Sequence, residues 1–152
     1  MSVWAHVAAT FRYDGVDDEF MSDGKPDWDK VFGRCTLEPI DYTDEEVDAW
    51  VESTGDAYDH PDDYVPFGSE GSLQRTVWVN PCQSHAARYT VTVFGDLRDY
   101  DDIDAIHRWF DRSCERGMLR QAVCHVNVEG RESATWEHDF VFSDSELEEY
   151  LD

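Results

Sequence analysis

An α+β fold, with helices on one face of a mainly antiparallel sheet, follows from three features of the sequence. Stretches in which apolar and polar residues alternate recur along the chain, the pattern of half-buried strands. Between them lie segments with apolar residues at three- and four-residue spacing, opened by Thr, Asp or Ser caps. The two kinds of segment succeed one another as strand, helix, strand, strand, helix, strand, strand, helix, which places several strands in hairpins.

The elements follow in order. Val3, Ala5, Val7, Ala9, Phe11 and Tyr13 alternate with Trp4, His6, Ala8, Thr10 and Arg12, predicting a strand with its odd-numbered face inward. Residues 14–33 read as a loop with one short helical turn near Trp28 to Phe32, and both lysines, Lys25 and Lys30, fall in it. Thr43 and Glu46 form a capping box, Val47, Trp50 and Val51 give the helix behind it an apolar face, and Gly55 stops it. Pro61, Pro66, Gly68 and Gly71 make residues 56–71 irregular. Leu73 to Val79, with Val77 and Val79 on one face, and Arg88 to Phe94, with Tyr89, Val91 and Val93 on one face, predict a hairpin across "NPCQSHA". "GDLRDYDD" ends it. Asp101 or Asp102 then caps a helix whose inner face is Ile103, Ile106, Phe110 and Cys114, with Gly117 as its stop. Ala122, Cys124, Val126 and Val128 predict a strand, "EGRES" a turn, and Ala134 to Phe142 a last strand. Ser143 and Glu146 cap a short C-terminal helix on Leu147 and Leu151. The first six elements match βαββαβ, so the expectation is a ferredoxin-like sandwich extended by one strand and a C-terminal helix, as one domain over residues 1–152.

The composition suits one domain with a real core: 152 residues, 41 % apolar, with 6 Trp, 7 Tyr and 8 Phe. The charge is the unusual feature. Thirty-five acids against 12 Lys and Arg leave a net charge of −23, which opposes compaction and disfavours nucleic acid and anionic membrane surfaces as partners. Cationic partners are favoured instead. The surplus is also uneven. "DYTDEEVDAWVESTGDAYDHPDDY", residues 41–64, holds ten carboxylates and no Lys or Arg, whereas seven of the ten arginines lie between Arg88 and Arg131. On the predicted first helix Asp44, Asp48 and Glu52 recur every four residues, about 5–6 Å apart on one face, and Glu45 widens the stripe. Asp41 precedes it, and Asp56, Asp59, Asp62 and Asp63 continue it into a band longer than one helix. Tyr42, Tyr58 and Tyr64 interleave the acids as candidate interface anchors, although for each singly the more economical role is to fold the loop back onto the core.

Chemistry is sparse. There is no GxSxG, no CxxC and no phosphate loop, since "GSEGS" lacks the GK[ST] ending and precedes a strand. Cys82 and His85 have a half-site spacing, and Cys124, His125 and His138 fall on neighbouring predicted strands, but a structural zinc site offers two tight pairs and one is visible. "DGVDDEFMSDG" has acids in the wrong register for calcium. No metal, cofactor or catalytic residue is therefore assigned. No run approaches the roughly 20 apolar residues of a membrane span, and the N-terminus lacks a basic leader, so the expected location is cytoplasmic, with Cys35, Cys82, Cys114 and Cys124 as free thiols.

The best-fitting expectation is a non-enzymatic DNA mimic, an acidic band that occupies the basic surface of a nucleic-acid-binding partner. The alternatives are salt adaptation, which two lysines against ten arginines and 22 Asp against 13 Glu also fit, and an acidic assembly or docking subunit. The "MSVW" start, "PFGSEGSL" at 66–73 and "GDLRDYDD" at 95–102 resemble small acidic proteins encoded by phages and prophages. That resemblance implies an anti-defence role, such as an anti-CRISPR-like inhibitor filling the DNA-binding channel of an effector complex, in the host cytoplasm. It carries over no catalytic residue.

Overall fold

The computed structural model describes residues 2–35, 45, 48, 49, 52, 64–81, 87–100, 102–131 and 133–139. The chain is mixed α+β, built on a five-stranded antiparallel sheet. Strand β1 runs over Trp4–Val16 and is followed by a 3-10 turn at Asp18–Phe20. A two-residue ribbon comes next, β2 (Met21–Ser22) and β3 (Lys25–Pro26), and then helix α1 (Trp28–Phe32). Strands β4 (Gln74–Val79) and β5 (Tyr89–Arg98) precede helix α2 (Ile103–Cys114), and β6 (Gly117–Val128) and β7 (Ser133–Asp139) complete the described elements. The main sheet has the order β4-β5-β1-β6-β7, every neighbouring pair antiparallel.

Alternation decides which face is core. In β1, Ala5, Val7, Ala9, Phe11 and Tyr13 are buried, in register with Leu97, Val93 and Val91 of β5 and with Val128, Val126, Cys124 and Ala122 of β6. Helix α2 lays Ala105, Ile106, Trp109, Phe110 and Cys114 on this face, and α1 adds Val31 and Phe32. Phe11 is the hub: its ring lies 4.7 Å from Phe32, 5.4 Å from Phe110 and 5.9 Å from Trp109. Two buried hydrogen bonds fix the layers. Tyr13 Oη donates to the Ser113 carbonyl at 2.6 Å, and the Trp109 indole donates to the Phe32 carbonyl at 2.8 Å. Burial holds the Tyr13 phenol well above its ordinary pKa.

Caps and glycines set the ends. Asp102 is the cap of α2, its Oδ1 accepting from the Ala105 N–H at 3.0 Å, and the turn at Glu115 and Arg116 ends the helix before Gly117 enters β6. Asp27 caps α1 by accepting from the Asp29 N–H at 3.1 Å. Gly33 closes α1 at φ 97°, where a Cβ would sit 2.4 Å from the Tyr64 carbonyl carbon, so only glycine admits the 64–65 segment beside this helix end.

Several expected bounds change. β5 does not stop at "GDLR" but continues through Arg98, because the β1 ladder extends to Trp4 opposite it. β6 starts at Gly117, five residues before its apolar alternation becomes visible. Residues 14–33 hold the expected helical turn as α1, and beside it the end of β1, the 3-10 turn and the β2–β3 ribbon where a loop was expected. Val77 and Val79 share a face as expected, but at 38 % and 52 % exposure that face of β4 lies beyond the helices' cover. The helix capped by Thr43, the end of the last strand at 140–142 and the C-terminal helix lie largely or wholly outside the described residues, and the crossover helix that a ferredoxin-like fold requires is among them.

Candidate functional site

The acidic band is the principal candidate. Of its members Glu45, Asp48 and Glu52 are described, and all three are helical and exposed, as is Ala49 between them. Glu45, Asp48 and Glu52 stand three, four and seven positions apart, the spacing that places residues on one face of a helix. None of the three takes part in an ion pair. Asp41, Asp44, Asp56, Asp59, Asp62, Asp63, Tyr42 and Tyr58 lie outside the described residues, as do Cys82 and His85.

Tyr64 is half-buried and held within the fold. It forms a parallel bridge with Arg34, whose guanidinium sits over its ring at 4.6 Å, and it meets Phe67 edge-on at 6.3 Å.

All of the chain's lysines and arginines are among the described residues, and several are engaged in holding it together. Arg75 donates to the Trp28 and Gly33 carbonyls and pairs with Asp29 at 2.7 Å, so it satisfies the open end of α1 while fastening that helix to β4. Arg116 donates to the Lys30 and Val31 carbonyls and lies over Phe20. Arg98 pairs with Glu70 at 2.9 Å, and Arg120 with Asp14 at 2.7 Å. Sequence alone hides these roles, because each partner is 28 to 106 residues away.

The described histidines and thiols do not converge on one site. His125 faces outward toward Thr135, while Cys124, one residue before it, is buried. His138 bonds to Asp111 at 2.8 Å, and His107 stacks on Trp136 at 4.3 Å with its Nε2 3.4 Å from the same carboxylate. No group of His, Cys, Asp and Glu among the described residues is arranged to hold a metal. Burial pushes the Cys124 thiol up to about 12 and the Cys114 thiol further, so neither is a nucleophile at neutral pH. His6 is bonded to Asp96 at 2.6 Å and lies 3.5 Å from Glu129. The Asp96 hydrogen bond leads in raising its pKa.

A cleft that the sequence reading did not single out opens where the β2–β3 ribbon meets the ends of β1, β4 and β5. Its volume is about 730 Å³, and its lining includes Lys25, Trp28, Val79, Arg88, Tyr89 and Met118. The signal was legible in "SDGK", an Asp-Gly pair that specifies a tight hairpin and so fixes one wall.

Comparison of the chain with protein-family models, curated proteins and solved structures finds no match. No helix among the described residues is long and apolar enough to cross a membrane.

Proposed function

We propose that this protein is a non-enzymatic inhibitor whose acidic surface occupies the basic nucleic-acid-binding surface of a partner protein, as a DNA mimic. The observation that carries the reading is the stripe of Glu45, Asp48 and Glu52, helical, exposed and without ion pairs, inside a 24-residue stretch that holds ten carboxylates and no cation. A carboxylate row of this kind offers Lys and Arg side chains what a phosphate backbone offers them. The chain's own cations sit outside the stretch, and Arg75, Arg98, Arg116 and Arg120 are engaged in the fold. An anti-defence inhibitor of a CRISPR effector is one setting in which such a surface serves.

The test is capture from host lysate at low and high salt, followed by elution with duplex DNA. The reading expects a basic nucleic-acid-binding protein, held at low salt, lost at high salt and displaced by DNA. A captured partner that keeps its nucleic acid while bound would overturn it. Salt adaptation is the rival reading, favoured by the Asp-rich, Lys-poor composition, and it expects folding that needs molar salt.

A further inference from the structure

The cleft beside the β2–β3 ribbon carries an inference independent of the acidic band. Its walls are built locally. Asp23 and Gly24 both have positive φ, 54° and 75°, the two-residue hairpin turn that pairs Ser22 with Lys25 and Met21 with Pro26. Ser22 Oγ donates to Asp27 Oδ2 at 3.0 Å, and Asp27 also caps α1, so ribbon and helix are locked together and Lys25 is held at the cleft. The opposite wall comes from Val79, Arg88 and Tyr89, where the Asn80 N–H donates to the Arg88 carbonyl at 2.7 Å.

Two properties mark this cleft. It is apolar and aromatic: the Trp28 and Tyr89 rings meet edge to face at 5.4 Å, and Val79 and Met118 remain 52 % and 60 % exposed. It also holds two cations, Lys25 and Arg88, in a chain of net charge −23. Lys25 and Arg88 form no ion pair, although acids outnumber bases almost three to one. Arg88 rests over the Tyr89 ring at 5.6 Å, and the two carboxylates that line the cleft, Asp14 and Asp18, form no ion pair with either cation: Asp14 pairs with Arg120 through Oδ2, and Asp18 is exposed. A cavity of this size, with aromatic and apolar side chains beside a few placed charges, has the form of a small-molecule site.

We propose that the cleft binds a flat aromatic organic monoanion, a carboxylate or sulfonate, with its ring system against Trp28, Tyr89 and Met118 and its acidic group at Lys25 and Arg88. A single charge is specified because every further negative charge is repelled by the rest of the chain.

The probes are 8-anilinonaphthalene-1-sulfonate and N-phenyl-1-naphthylamine, which share the ring system and differ by the sulfonate. The sulfonate binds at one site per chain, and K25Q/R88Q weakens it at least tenfold while changing the neutral amine by less than twofold. Amide chemical-shift changes in the unsubstituted protein cluster at residues 14–28, 79, 88–89 and 118. Equal sulfonate affinity in the double variant would overturn the proposal, as would shift changes centred on the open sheet face at Trp78 and Phe94, or no saturable binding.

Discussion

Neutralising part of the acidic stripe should make the fold more stable. Asp48 is the middle member, three residues after Glu45 and four before Glu52, and the three are exposed without ion pairs. D48N/E52Q therefore removes two like-charge neighbour pairs, each costing about 0.2–0.5 kcal/mol, for a gain of about 0.4–1 kcal/mol. Glu45 is retained because the helix expected from the Thr43 cap would place it in the first turn, where the helix dipole favours an acid. Two fewer negative charges on a net of −23 act in the same direction. For a chain of this length the gain raises Tm by roughly 1–4 °C. The assay is thermal unfolding followed by circular dichroism in dilute buffer and in 1 M salt, where a Debye length of about 3 Å should erase most of the difference. A lower Tm in dilute buffer would refute the reasoning, because these carboxylates would then hold the fold together, and so would a gain undiminished by salt, because its source would not be charge repulsion.

Other substitutions probe the core and its titratable groups. Phe11→Ala empties the centre of the aromatic cluster and should cost about 3–5 kcal/mol in urea unfolding, a large part of a typical domain's 5–15 kcal/mol; a cost below about 1 kcal/mol would mean that the layers close over the gap. The folded pKa of His6 is raised by Asp96 and Glu129, so its contribution is full below about pH 6.5 and disappears as pH rises through the folded value. With both partners half exposed this amounts to about 0.2–1 kcal/mol, and H6Q should flatten that part of the stability–pH profile. In a C82S background, Cys114 and Cys124 should resist a thiol reagent at pH 8 until the protein is unfolded, with Cys35, half-buried and raised chiefly by burial, reacting slowly; rapid native labelling of all three would contradict their placement.

What the sequence made legible was local. The inward face of β1, a cap at Asp101 or Asp102 and the apolar face of α2, and the buried alternation of β6 depend on neighbours a few residues away, and the structure has these elements where the periodicity put them, with Asp102 as the cap. Extent was harder to read. β5 continues through Gly95, where the absence of a side chain admits Ser72 and Leu73 against the strand, and nothing in "GDLR" announces that pairing. Alternation assigned Val77 and Val79 to one face of β4 but could not say that this face stays exposed beyond the described helices. The arginines that close the end of α1 were invisible because their carbonyl partners are distant in sequence. Of the candidate site, exposure of Glu45, Asp48 and Glu52 was legible from helical spacing, whereas the engagement of Tyr64 with Arg34 and Phe67 depends on tertiary contacts. The cleft was missed because its cations are conspicuous only beside the acids that fail to pair with them.

The central claim is that the carboxylate stripe is a binding surface for a basic partner. It is tested most directly by reversing the stripe, E45K/D48K/E52K, and titrating the variant against the partner captured by the unsubstituted protein. The account predicts an affinity loss of about a hundredfold or more at low salt, with the unfolding transition retained. Undiminished affinity in a folded triple variant would contradict it.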